Sequence, residues 1–69
     1  MGAQIKKIRQ QLLMTQSEFA EKLEMSKQMI SNYENGLYKP SMKTIKKLIK
    51  LANQHGIEIN LDDFFLVSF

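Results

Sequence analysis

Residues 15–36 read TQSEFAEKLEMSKQMISNYENG, and they carry the clearest structural signal in the chain. Its apolar residues recur at helical spacing in two short runs, which predicts two amphipathic helices that each bury one face. Only Glu24 and Met25 separate the two runs, so the helices must cross steeply without an independent loop. Ala20 is the small residue that lets the two backbones approach at the crossing. The predicted inward residues are Phe19, Ala20, Leu23, Ile30 and Tyr33.

Polar residues mark the ends of both helices. Thr15 or Ser17 can cap the first helix, and Glu18 stands where a capping box needs an acid. Ser26 is a natural N-cap for the second helix. The dipeptide at 35–36, Asn-Gly, tolerates the left-handed conformation that commonly ends a helix.

The outer face of the second helix is rich in amide and ammonium groups. Lys27, Gln28, Ser31 and Asn32 share that face, and Met29 lies at its margin. Gln and Asn can pair with adenine, Lys can donate to guanine, Ser can do either weakly, and a methionine can touch a thymine methyl group. Such a face is also what an ordinary solvated helix presents. Its place in a tight helix pair favours base readout in the major groove of DNA.

Residues 5 to 52 resemble the phage-repressor-type, Xre-like family of lambda-repressor-like helix-turn-helix domains. The resemblance rests on several spaced elements that agree together. They are Ile5, Ile8-Arg9, Thr15-Gln16, Phe19-Ala20, Leu23, Met25-Ser26, Ile30, Tyr33, Glu34-Asn35-Gly36, Lys39-Pro40-Ser41, Ile45 and Leu48.

The resemblance implies an all-α, compact five-helix domain, with the helix-turn-helix formed by helices 2 and 3. It implies base contacts from Lys27, Gln28 and Asn32, to which the face chemistry adds Ser31 and Met29. It also implies an ion pair that joins Arg9 of the first helix to Glu34 of the third. The residues expected to contact phosphates are Gln16, Ser26, Asn35, Lys39 and Lys43.

Two positions depart from the family pattern. Glu24 and Leu13 each stand where the family usually has glycine. A residue other than glycine at positive φ carries a strain cost, so either Glu24 accepts that strain or the turn differs. For Leu13 we expect the first helix to continue straight into Met14.

Size, composition and charge agree with one small domain spanning residues 1–69. The chain has 43% hydrophobic residues, no cysteine and a net charge of +3. All ten basic residues lie in residues 1–50, with only four glutamates, so positive charge accompanies the helix pair. No long apolar run, signal stretch or catalytic pattern is present, which favours a cytoplasmic, non-enzymatic protein without cofactor, metal or membrane association.

The fourth helix is predicted to start at Ser41, after Pro40, and to end at Gly56. Its inward stripe is Ile45, Leu48, Ile49 and Ala52. His55 is expected to cap its last carbonyls. Met14, Met25 and Met42 are expected in the core.

The C-terminal segment, residues 60–69, is predicted to begin a last helix at Asn60 and then to carry the apolar run FFLVSF. One helix face cannot bury all of these side chains, so some should close the core and others should form an interface. Residues 67–69 either continue the helix or extend, even as a strand. The residues assigned to a homodimer interface are Leu61, Phe64, Phe65, Leu66, Val67 and Phe69.

These observations predict a transcriptional regulator that binds specific double-stranded DNA sequences. It would act as a homodimeric repressor on a palindromic operator. The alternative is a protein-interaction module, such as an antitoxin-like partner, which binds another protein through its apolar C-terminus and uses the helix pair only for autoregulation.

Overall fold

The computed structural model describes residues 2–61 and contains four helices over that range. They are α1 (Gly2–Gln11), α2 (Gln16–Lys22), α3 (Lys27–Glu34) and α4 (Met42–Gln54). The described residues contain no strand. The all-helical prediction is therefore confirmed for this range. The predicted fifth helix falls mainly on residues 62–69, which lie outside the described residues.

A single core joins all four helices. The predicted inward residues are buried except Ile49, which is half-buried, while Leu51, which was not predicted, is buried on α4; α3 packs against both α1 and α2. Phe19 and Ala52 are fully buried, with 0% exposure. The buried core residues are Ile5, Ile8, Leu12, Phe19, Ala20, Leu23, Ile30, Tyr33, Ile45, Leu48, Leu51 and Ala52.

Hydroxyl side chains cap the starts of α2, α3 and α4, as the sequence predicted. At α2 the capping box is complete: Thr15 Oγ1 accepts from the Glu18 amide at 3.1 Å, and Glu18 Oε1 accepts from the Thr15 amide at 2.9 Å. Ser26 Oγ accepts from the Met29 amide at 3.1 Å. Ser41 Oγ accepts from the Thr44 amide at 3.2 Å. Each cap satisfies an amide that the helix itself leaves without a partner.

All four helices end in the same way, with one residue at positive φ followed by an apolar residue. The residues at positive φ are Leu13 (58°), Glu24 (58°), Gly36 (76°) and Gly56 (79°). In each case the amide of the next residue donates to the carbonyl oxygen five positions earlier; for α2, Met25 N–H donates to Ala20 O at 2.9 Å. This is the Schellman motif, in which the residue at positive φ is usually glycine.

The positive φ of Leu13 corrects one expectation. The first helix does not continue into Met14; it ends at Gln11, and Leu13 turns the chain toward α2. The amide of Met14 donates to Arg9 O at 3.3 Å, which replaces the helical bond. For Glu24, the sequence left open whether the residue is strained or the turn differs. The structure shows the first, because Glu24 adopts a positive φ.

Of the three methionines predicted to lie in the core, two pack against it and one does not. Met14 and Met25 follow the residues at positive φ and pack, partly buried, against the core. Met42 is 47% exposed, so its assignment to the core was wrong. It is the first residue of α4, where its side chain precedes the buried stripe that begins at Ile45.

Candidate nucleic-acid interface

The helix α3 is held by its inward face and leaves its outer face in solvent. Ile30 and Tyr33 are buried against the core, with 1% and 8% exposure. Lys27 and Gln28 are exposed, while Asn32 is half-buried. Lys27 and Gln28 are therefore open to solvent, and Asn32 is partly open to it.

Gly2, at the start of α1, lies directly against the C-terminal end of α3. A Cβ atom on Gly2 would lie 2.6 Å from Tyr33 O and 2.7 Å from Glu34 O. Both are backbone atoms that cannot swing aside, so α1 and α3 approach this closely only because residue 2 has no side chain. This role of Gly2 was not predicted from the sequence, because a single glycine near a helix start carries no distinctive pattern.

Glu34, the last residue of α3, gathers donors from α1 and α2. Arg9 Nε lies 2.6 Å from Glu34 Oε2, and Arg9 Nη2 donates to Glu34 Oε1 at 3.3 Å. Gln16 Nε2 donates to the same Oε1 at 3.1 Å. Arg9 Nη1 also donates to Met14 O at 2.9 Å, which ties the α1–α2 turn to this network.

Burial makes this network a geometric constraint on α3. The Glu34 side chain is only 3% exposed and that of Arg9 14%. A carboxylate removed from water needs its donors, and two parallel guanidinium bonds fix direction as well as distance. The orientation of α3 relative to α1 and α2 is therefore set by Glu34 together with the buried face.

Two hydrogen-bonded pairs lie along the polar side of α3, each spanning one turn. Gln28 Nε2 donates to Asn32 Oδ1 at 3.1 Å. Asn35 Nδ2 donates to Ser31 Oγ at 3.3 Å. Four of the residues predicted to contact DNA are thus brought together in pairs. Met29 lies beside them and is 36% exposed.

The residues predicted to contact phosphates lie in different settings. Lys39 and Lys43 are exposed, in the loop before α4 and in its first turn. Ser26 is exposed and uses its Oγ as an acceptor in the α3 cap, which leaves its hydroxyl hydrogen available. Gln16 is half-buried and directs one amide hydrogen to Glu34. Its amide oxygen and second hydrogen are additional bonding groups.

Two exposed apolar residues in the same loop were not singled out from the sequence. Leu37 is 67% exposed and Tyr38 is 59% exposed, directly after the end of α3. At the ends of α1, α2 and α4 the equivalent apolar residue packs against the core, whereas Leu37 does not. A Leu-Tyr dipeptide between Gly36 and Lys39 was the available signal in the sequence.

One acid in the first turn of α2 has a pKa that the capping box shifts. The amide of Thr15, and then its hydroxyl, hold the pKa of Glu18 below its ordinary value of 4.5.

His55 Nδ1 lies 3.0 Å from Leu51 O at the end of α4, as the capping prediction required. In residues 2–61 no three His, Cys, Asp or Glu side chains cluster as a metal site would need.

The predicted dimer surface is mostly outside this part of the chain. Leu61 is half-buried and packs against the core. The other five residues assigned to that surface, at 64–67 and 69, lie outside the described residues. Within residues 2–61, no helix combines the length and apolar character needed to cross a bilayer.

The geometry of α2 and α3 agrees with the comparisons to known proteins. A helix-turn-helix family model matches residues 5–59. The ImmF control region 10 kDa protein of Bacillus phage phi105 is 42% identical over 53 residues, which are 77% of this chain and 59% of that protein. The chain thus spans less than two thirds of its relative's length. No solved structure matches significantly. The chain belongs to the Xre-like helix-turn-helix family of DNA-binding transcription regulators.

Proposed function

We propose that this protein is a repressor that recognises a specific double-stranded DNA sequence through the outer face of α3. The observation that carries the proposal is the division of α3 into a buried apolar face and an outward polar face. Ile30 and Tyr33 anchor the helix, while Lys27 and Gln28 project into solvent. A helix held in this way can enter the major groove, which is about 12 Å wide.

In this proposal, base readout and phosphate contact are divided between two sets of residues. The base-reading set is Lys27, Gln28, Met29, Ser31 and Asn32. The phosphate set is Gln16, Ser26, Asn35, Lys39 and Lys43. The first set determines which sequence is bound, and the second fixes the position of the protein on the duplex without selecting sequence.

The rigid attachment of α3 supports this division. The Arg9–Glu34–Gln16 network and the close approach at Gly2 hold the C-terminal end of α3 against α1 and the start of α2. Direct readout needs side chains whose positions are fixed by a rigid scaffold, because a bidentate contact tolerates little displacement. The hydrogen bonds on the outer face restrict Gln28 and Asn32 further.

We further propose that the protein acts in the cytoplasm as a homodimer on an inverted repeat. The two α3 helices would then be separated by about one DNA turn, roughly 34 Å. The name of the phage relative, a control region protein, supports a regulatory role on DNA. The apolar sequence of residues 64–69 supports a contact between two copies.

A salt titration with a selected palindromic duplex tests whether the protein binds DNA sequence-specifically. Sequence-specific DNA binding should weaken linearly in a plot of log affinity against log salt, because each neutralised phosphate releases counterions. An antitoxin-like contact through apolar side chains should respond little to salt. Binding to the palindrome that is no tighter than to a scrambled duplex, at every salt concentration, would contradict the proposal.

A further inference from the structure

The hydrogen bond between Gln28 and Asn32 has a consequence for which base is read. These residues lie one turn apart on the outer face of α3, and Gln28 Nε2 donates to Asn32 Oδ1 at 3.1 Å. Gln28 is exposed, and within residues 2–61 its side chain makes this one hydrogen bond. Asn32 therefore restrains a long side chain that would otherwise sample several rotamers in solvent.

The chemistry of a primary amide determines what Gln28 still offers. Its nitrogen carries two hydrogens and its oxygen carries two lone pairs. One hydrogen is given to Asn32, which leaves one donor and one acceptor on the same planar group. In the major groove, adenine presents the matching pair, an acceptor at N7 and a donor at N6, whereas guanine presents two acceptors.

We infer that Gln28 and Asn32 read one adenine as a single unit, in which Gln28 makes the base contact and Asn32 is its positioning residue. This inference rests on the proposed function and deepens it, since it names the base that the pair selects. Asn32 keeps its own amide hydrogens, which can reach a neighbouring base or phosphate without breaking the bond to Gln28.

The benefit of the arrangement is preorganisation. A free glutamine must lose rotamer freedom when it binds a base, and the cost for one such side chain corresponds to roughly two- to tenfold in affinity. In this protein much of that freedom is already lost in the unbound state. Removing Asn32 should therefore weaken the contact made by Gln28 even though Gln28 remains.

The test uses an operator selected from random duplexes and a double-mutant cycle. Gln28→Ala should reduce discrimination at one A·T pair by roughly 5- to 150-fold. At that pair, Asn32→Ala should reduce discrimination at least twofold. The double variant should be no worse there than Gln28→Ala alone, because the two residues act together.

A base analogue separates positioning from a merely structural effect. Replacing the adenine with 7-deazaadenine removes the N7 acceptor, and wild-type affinity should fall about tenfold, whereas Gln28→Ala should not respond. Asn32→Ala should respond less than wild type. Lys39→Ala is the control. It should lower the affinity for all duplexes and leave the ratio of affinities for the adenine and 7-deazaadenine duplexes unchanged.

Two results would overturn the inference while leaving the proposed function intact. One is a double variant whose loss at that pair equals the product of the single losses. The other is a Gln28-dependent base that proves to be guanine, cytosine or thymine. If wild-type protein enriches no sequence at all, the proposed function itself fails, and the inference fails with it.

Discussion

Arg9 Nε and Glu34 Oε2 lie 2.6 Å apart and join α1 to the end of α3 across 25 positions of sequence. Removing one partner should leave a charge without its donor or acceptor in a largely buried place. We therefore expect Glu34→Ala and Arg9→Ala each to lower the free energy of unfolding by about 3–5 kcal/mol. Urea denaturation followed by circular dichroism measures this directly.

The control for that prediction is the double variant Arg9→Met/Glu34→Leu, which replaces both charges by apolar side chains. It should be more stable than either alanine variant, because no charge remains buried without a partner. A double variant less stable than both single variants would contradict the assignment of the pair as a buried ion bridge.

The two strained residues offer a way to raise stability. Leu13 and Glu24 adopt a φ of 58°, where a side chain costs roughly 1–2 kcal/mol. Glycine relieves that strain but gains freedom in the unfolded chain, so Leu13→Gly and Glu24→Gly should each stabilise by on the order of 1 kcal/mol or less. Thermal unfolding should show a higher Tm for both.

Matched controls for the strain prediction lie in the same elements. Glu21→Gly, in the last turn of α2, should destabilise by up to about 1 kcal/mol because helical glycine is unfavourable. Gly36→Ala should also destabilise, and by strain alone, since a Cβ there would meet nothing within 4 Å. If Glu24→Gly destabilises as much as Glu21→Gly does, the account of the α2 end is wrong.

The capping box predicts a pH dependence. The hydrogen bonds from Thr15 favour the ionised form of Glu18, so the pKa of that carboxyl is lower in the folded protein than 4.5. Its contribution to stability is then complete above about pH 4.5 and is lost as the pH falls through the lower folded value. The free energy of unfolding, measured from pH 6 to pH 3, should decrease as this contribution is lost.

Glu18→Gln is the matching variant, because glutamine keeps the acceptor of the capping box but does not titrate. It should be stable near pH 6 and should lose less stability than wild type below pH 4.5. Thr15→Ala removes the cap itself and should cost about 0.5–2 kcal/mol at all these pH values. Identical pH profiles for wild type and Glu18→Gln would remove Glu18 from the explanation.

Base readers and phosphate contacts should differ in their response to sequence and salt. Gln28→Ala should relax preference at one base pair by about 1–3 kcal/mol, whereas Lys39→Ala should weaken binding to all sequences alike and reduce the salt slope by about one. Lys46→Ala, on the exposed side of α4, is a control that should change neither. Equal effects of Gln28→Ala and Lys39→Ala on cognate and random duplexes would refute the division.

The elements of the fold were predictable because local signals and hydrophobic spacing agreed. Thr15, Ser26 and Ser41 marked three helix starts, and the spacing of apolar residues identified the buried faces. Leu13 was harder to predict, because leucine is a good helix former and its residue type does not indicate the positive φ that it adopts. Met42 was misassigned because flexible apolar side chains at helix starts lie outside the strict helical stripe.

The candidate interface was predictable in composition but not in its internal bonding. Sequence spacing brought Gln28 and Asn32 to one face, yet it could not determine that the two amides bond to each other. The close approach at Gly2 depends on the crossing of α1 and α3, which are far apart in sequence. Such contacts follow from the packed tertiary arrangement and leave little signal in a single chain.

Selection of bound duplexes from a random pool measures whether the outer face of α3 reads DNA sequence. Wild-type protein should enrich one motif arranged as an inverted repeat, and the variant Lys27→Ala/Gln28→Ala/Asn32→Ala should remain folded but enrich none. Enrichment of the same motif by both proteins, or of no motif by the wild type, would contradict the account.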